Sequence, residues 1–301
     1  MGVVFKAAAV LLVLVAGAAA AHGIEGRLLK SRAEKGPAGP LQLKADVTIA
    51  QADRWMYPAG PLSALFAIAA GLVVIPFGRH LIAADLGIGV FYFIVMIDFT
   101  VLGLSMGGWG ANTPQGTEVY YRAVAQLVAY VVPLGLAYIG AIMMAKSLST
   151  VRIVEAQSDL WFIVVQPIGF ALYLVTALMQ AFRAPFLEPF SLKIDGGVLR
   201  LYGGWKAWVW RLSLSSLLFA VAAMGAVLFL GGWHGPWLPG VVWMPLKTVA
   251  LMVLLVWLGT KFKPLTTDRM LQLSWKILTP VGLVNVLIVG GLILLGVGVN
   301  N

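Results

Sequence analysis

The sequence contains no cysteine. That excludes disulfides, thiolate metal sites and iron–sulfur clusters carried by this chain. It has only three histidines, His22, His80 and His234, far apart in sequence. That excludes a paired-histidine haem helix and an H-E-x-x-H zinc site. No phosphate-binding or nucleophile motif is present. Gly107-Gly108-Trp109-Gly110 follows an apolar run rather than a strand, so it reads as a turn. Charge is also scarce, at 11% of 301 residues. Soluble domains carry about 25%.

What the chain has in abundance is apolar surface. Hydrophobic residues make up 60% of it, and the mean hydropathy is +0.93. Its solvent is therefore mostly lipid. A helix needs about 20 apolar residues to cross the hydrocarbon layer. The charge-free stretches predict spans at residues 10–21 (extending back toward 3), between 54 and 79, 86–106, 122–146, 159–183, 212–230, 241–260 and 277–297. The run from Arg211 to Lys247 is divided by Gly231-Gly232-Trp233-His234-Gly235-Pro236. These runs are continuous and do not alternate as barrel strands do. The expected fold is all-α: a polytopic membrane protein of about eight helices, forming a single integral membrane domain over 1–301. Lys6, the following apolar run and Ala18 to Ala21 also fit a secretory signal peptide. The basic segment that follows argues against that reading.

Of the 21 Lys and Arg residues, sixteen fall in the connections after spans one, three, five and seven. Four fall on the other side, and Lys247 lies within span seven. The positive-inside rule makes the basic connections cytoplasmic and puts both termini on the non-cytoplasmic side. The net charge of +9 thus reports topology rather than nucleic-acid binding. The long loops, 22–57 and 183–211, lie on the basic side, so the working surface is expected there.

Several polar residues stand out inside apolar sequence. Asp98 sits in the middle of span three, where a carboxylate costs about 2.5–3.5 kcal/mol. It is either a proton-path group or a structural carboxyl bonded to a neighbouring helix. Lys247 is its counter-ion, a buried relay or a snorkelling residue. Arg122, Gln126 and Tyr130 recur at i, i+4, i+8 and share one helix face. Arg183-Ala184-Pro185-Phe186-Leu187-Glu188-Pro189-Phe190 is kept from regular helix by its prolines and can wall a pocket or anchor at the interface.

At these residues the chain resembles the H-type membrane subunit of NADH-quinone oxidoreductase, respiratory complex I. The similarity runs from about Glu25 to Ile293. Ala52-Asp53-Arg54-Trp55 looks like the family's approach to its second helix. Asp85-Leu86-Gly87-Ile88-Gly89-Val90-Phe91-Tyr92 is similar to its D-L-N-I-G-x-L-Y run. Arg122-Ala123-x-Ala125-Gln126, with Tyr130 and Pro133-Leu134-Gly135-Leu136, looks like its R-A-x-A-Q helix. Ile153-Val154-Glu155-Ala156-Gln157, Arg183-Ala184-Pro185-Phe186, Phe229-Leu230-Gly231-Gly232-Trp233 and Trp275-Lys276 follow in the family's order.

The resemblance implies a bacterial inner-membrane subunit of an oxidoreductase that helps form the quinone tunnel and joins the peripheral arm to the membrane arm. Quinone is then a substrate, and NADH, FMN and iron–sulfur clusters belong to partner subunits. The implied partners are peripheral iron–sulfur and quinone-site subunits, small membrane-arm subunits and lipid. Arg27, Arg54 and Arg183 would orient the head group or dock acidic partner surfaces, and Trp55 and Phe186 would pack ring and tail. Asp98, Arg122, Gln126, Tyr130, Glu155 and Glu188 would form the polar path.

The departures bear on that path. The family's acid after the motif tyrosine is Val131 here. The glutamate three before the R-A-P-F arginine is Gln180, and the asparagine just before that arginine is Phe182. Leu187, Phe190, Leu192 and Ile194 stand where later acids would be. Proton coupling would then need another route, through Asp98, Glu118, Glu155, Asp159 or Glu188. The alternatives are the equivalent subunit of a membrane-bound hydrogenase-type complex and a non-coupling anchor paralogue. A stand-alone transporter is disfavoured, because no inverted repeat is visible.

Overall fold

The computed structural model describes residues 2–28, 51–79, 81–187, 189, 198–237 and 239–296. Glu188 and most of the loop over 22–57 lie outside the described residues. In order, the helices are α1 (Gly2–Leu28), α2 (Met56–Leu72), α3 (Gly89–Gly110), α4 (Pro114–Ala145), α5 (Thr150–Glu155), α6 (Phe162–Val165), α7 (Pro167–Gln180), α8 (Val198–Leu201), α9 (Gly204–Phe229), α10 (Gly240–Lys261), α11 (Thr267–Leu273) and α12 (Thr279–Leu294). A π-helical turn, Ser274–Leu278, joins the last two. Among the described residues there is no strand, only an isolated bridge between Gly78 and Leu81.

Lipid cannot hydrogen-bond a backbone, so these apolar runs satisfy themselves as helices. Six of them are long and apolar enough to cross a membrane, the last being α11 to α12 taken together. The apolar helices α2 and α7 are shorter. Helix ends follow local chemistry. Thr113 caps α4, accepting from Gly116 N at 3.1 Å, with Pro114 in the first turn. Lys146 ends α4 in the left-handed region. At 32 residues, α4 is roughly 48 Å long. That exceeds the hydrocarbon layer of about 30 Å.

Contacts set the directions. Gly60 lies against Gly107, and Gly71 against Ile97, so α2 and α3 run antiparallel. A methyl group on Gly103 would lie 2.8 Å from Gly60 O and 2.9 Å from Ala64 N. Only glycine lets these backbones approach so closely, the usual small-residue device of membrane helix pairs. Tyr130 meets Gln180 across Asp98, and Tyr138 meets Tyr173, so α4 and α7 are antiparallel too. By contrast Ser274 meets Ala129 and Asn285 lies beside Gly140, so α12 runs parallel to α4. At the centre is α9, buried on every side from Ser213 to Phe229. A helix apolar all round belongs inside a bundle.

The connections α1–α2, α3–α4, α7–α9 and α10–α11 leave from one face of the bundle, here called the loop-rich face. Tryptophans gather at the helix ends. Trp55, Trp109, Trp205, Trp208, Trp257 and Trp275 are exposed toward the loop-rich face, while Trp161, Trp233, Trp237 and Trp243 belong to the opposite one. Such belts mark the two lipid–water boundaries.

Two helix-interior prolines are compensated by hydroxyls. Pro133 has no N–H for the Ala129 carbonyl one turn back, and the Ser274 hydroxyl donates to that oxygen. Pro61 likewise has no N–H for the Tyr57 carbonyl, and Tyr202 OH donates to that oxygen at 2.9 Å. The Tyr57 and Tyr202 rings stack at 4.3 Å between centroids.

Candidate functional site

Asp98 lies half-buried in the middle of α3. Its Oδ1 accepts from Tyr130 OH at 2.9 Å and from Gln180 Nε2 at 3.2 Å. Three helices thus deliver polar groups to one point: α3 the acid, α4 the tyrosine, α7 the amide. Tyr130 is fully buried and Gln180 is 1% exposed. Lys247 is not part of this group. Its buried ammonium donates to the Leu230 and His234 carbonyls and stands 4.1 Å from the Trp161 ring centroid. It closes the carbonyl end of α9 on the opposite face.

One turn along α4 toward the loop-rich face is Gln126, fully buried. Its Nε2 donates to Met179 O at 2.6 Å and to Phe186 O at 3.2 Å. The polar stripe expected on this helix therefore does face inward at Gln126 and Tyr130. Arg122, at its outer end, is partly exposed and pairs with Glu118 one turn before it. Val131 points outward and is 38% exposed. Of two positions where the resemblance implies a lost acid, Gln180 touches Asp98 and Val131 faces the bundle's exterior.

Beyond α7 the Arg183-Ala184-Pro185-Phe186 segment folds into a knot at the loop-rich face. Phe182 adopts φ +50, in the left-handed region that favours glycine or asparagine. The Ala184-Pro185 bond is cis. Phe186 N donates to Arg183 O at 2.8 Å, and Leu265 N to Pro185 O at 2.9 Å. The Phe186 ring is buried. Arg183 is buried as well. It forms an ion pair with Glu25 of α1, itself 1% exposed, and donates to Leu214 O of α9 at 3.1 Å and Ala181 O at 3.3 Å. The guanidinium is thus engaged by protein on several sides. Sequence reasoning misses Glu25 as a site residue. The signal is a lone acid near the C-terminal end of the first apolar helix, but its partner lies 158 residues away.

Arg54 and Trp55 are exposed at the start of α2, with the guanidinium 5.9 Å from the indole centroid. Asp53 holds that corner: its Oδ1 accepts from Trp55 N at 2.8 Å and Met56 N at 2.7 Å. Those N–H groups hold its carboxyl below the usual carboxylate range. Arg27 is exposed at the end of α1. Glu155 is exposed at the end of α5, in the segment joining α4 to α6 on the opposite face, and does not join the Asp98 group. Among the described residues no cluster of three or more metal-ligating side chains occurs.

The family described as NADH dehydrogenase matches residues 39–290. The chain belongs to the family of H-type subunits of NADH-quinone oxidoreductase. The first H-type chain of that enzyme from Rhodopseudomonas palustris strain BisB5 is 37% identical over 296 residues, 93% of each chain. Its counterpart from strain HaA2 is 38% identical over 265 residues, 85% of this chain and 83% of that one. The H-type chain of Geobacillus kaustophilus is 35% identical over 82% of this chain and 76% of its own. A chain from the structure of the membrane-bound sulfane sulfur reductase, an archaeal respiratory membrane complex, superposes with a TM-score of 0.84. It covers 96% of this chain and 100% of its own, at 21% identity, and shows a shared fold. As a member of the H-type family the protein is a bacterial inner-membrane component of an oxidoreductase complex. With no cysteine, it brings no thiolate-held redox centre of its own.

Proposed function

We propose that this chain helps form the quinone-binding tunnel of a complex-I-type enzyme and joins its peripheral arm to its membrane arm. The loop-rich face is the cytoplasmic one, where the basic connections meet partner subunits. Electrons reach quinone from NADH through the FMN and iron–sulfur clusters of those partners. Exposed Arg27, Arg54 and Trp55 are the docking or head-group residues of that face. The knot at Arg183 and Phe186 is a wall held in place by Glu25 and Gln126.

The acidic path is altered and centres on Asp98. One observation carries this reading: Asp98 accepts from Tyr130 and from Gln180, and the resemblance implies a glutamate at the latter position. At this point the carboxyl comes from α3 and the amide from α7. A group that binds and releases a proton there needs a carboxyl, an ordered donor and burial, and all three are present.

The test is Asp98→Asn and Asp98→Glu in the assembled complex. Inhibitor-sensitive quinone reduction and proton translocation would be measured in sealed inverted vesicles. D98N should assemble but lose coupled turnover, and D98E should keep much of it. A D98N complex that pumps like its parent would remove Asp98 from the path, and a parent complex that reduces quinone without pumping would favour the non-coupling anchor.

A further inference from the structure

The segment that crosses the bundle from α6 to α7 is broken. Gln166 sits at the break with φ −133 and ψ 65, followed by Pro167. The start of α7 has no side-chain cap, and the N–H groups in a helix's first turn, here those of Ile168 and Gly169, have no partner within the helix. Inside a bilayer, interrupted backbone is tolerated where it is buried in protein or lines a water-filled cavity.

Two amides converge on this break. The side chain of Gln166 is 2% exposed, and that of Asn285, from α12, 1%. Gln166 Oε1, Gln166 Nε2 and Asn285 Nδ2 have no hydrogen-bond partner among the described residues. Two glycines make the room. A methyl group on Gly140 of α4 would collide with Gln166 Oε1 and lie 3.0 Å from Asn285 Nδ2. One on Gly169 would lie 3.0 Å from Asn285 Nδ2 and 3.2 Å from Gln166 Oε1. Both amides therefore point at the same spot between α4, α7 and α12.

A direct bond between the amides would use one donor and one acceptor and leave the remaining ones bare. Buried polar groups are seldom left so. Water both donates and accepts, fits a small polar space and makes two to four bonds there. The spot lies about 15 Å along α4 from Tyr130, toward the face opposite the loops. One turn along α7 from Gly169 stands Tyr173, edge-to-face with Tyr138 at 5.9 Å, between this spot and Asp98.

We propose that Gln166, Asn285 and the first turn of α7 form a site for ordered water, through which Asp98 exchanges protons with the face opposite the loops. The link to Asp98 rests on the proposed function; the water site does not.

The experiment uses the intact complex. A cryo-electron microscopy map that resolves water should show density in hydrogen-bond reach of Gln166 and Asn285. Gly140→Ala should displace it. In sealed vesicles G140A and Asn285→Leu should lose most proton translocation, while Asn285→Ser, which keeps a hydroxyl for the water, should retain it. A dry pocket with the two amides bonded to each other overturns the proposal. So does a wet pocket whose G140A and N285L variants translocate like the parent. An impaired N285L beside an unimpaired D98N would overturn the role of Asp98 and leave the water site standing.

Discussion

Pro133 and Ser274 offer the sharpest test of the packing argument. Pro133 removes the N–H that would bond the Ala129 carbonyl, and the Ser274 hydroxyl replaces it from the π turn. Ser274 is fully buried. Ser274→Ala should therefore orphan a buried carbonyl, at about 1–3 kcal/mol by the general cost of such a loss. Coupling energies measured inside membrane bundles are smaller, averaging roughly 0.6 and reaching about 1.7 kcal/mol. We expect about 1 kcal/mol. Pro133→Ala returns the missing N–H to α4, so S274A in that background should cost close to nothing. The assay is unfolding of the purified protein in mixed micelles of rising SDS fraction, for the parent, both single variants and the double variant. An S274A cost that is the same with and without Pro133 would refute the claim that the hydroxyl stands in for the lost backbone bond.

Three further outcomes are expected. Glu25→Gln leaves the buried Arg183 charge without its carboxylate; this should cost about 3–5 kcal/mol and show as lower thermal stability, whereas replacing both partners by methionine should recover most of it. Gly103→Ala sets a methyl against the Gly60 carbonyl and Ala64 N; overpacking of this kind costs about 1–3 kcal/mol, and a G103A protein that melts like the parent would contradict the close contact of α2 with α3. His234 is pushed below its usual value of 6.5, first by burial and then by the Lys247 charge. Its folded form binds its proton less readily than the unfolded chain, so its contribution is full above about 6.5 and is lost as pH falls through the lowered value. Melting followed from pH 7 down to about 5 should fall less steeply for His234→Gln than for the parent.

Much of the architecture can be read along the chain because lipid imposes a one-dimensional rule. Each apolar run between charges forms helix, yet the bounds differ: α2 and α7 fall short of the predicted spans, while α4 and α9 overrun theirs. The fourth begins at Pro114 rather than near Arg122, because a helix continues through the interface where Glu118 and Arg122 pair at its surface. The fifth run reads as one span and is instead broken at Gln166. Pro167 marks the place, but a proline at a helix start and a proline at a break look alike in sequence.

The residue pattern by itself determined that the chain lives in a membrane, that its loops are basic on one side, that Asp98 needs a partner, and that Gln126 and Tyr130 share a face. Those conclusions need only hydrophobicity, charge and helical period. Tertiary structure alone decided which partner each polar group found. Asp98 met Tyr130 and Gln180 rather than Lys247, Arg183 met Glu25, and Ser274 met the carbonyl that Pro133 had left bare. The reason is that a buried polar group takes whichever complement the packing brings within reach. That depends on which helices are neighbours and in which direction they run, information held in contacts between residues distant along the chain.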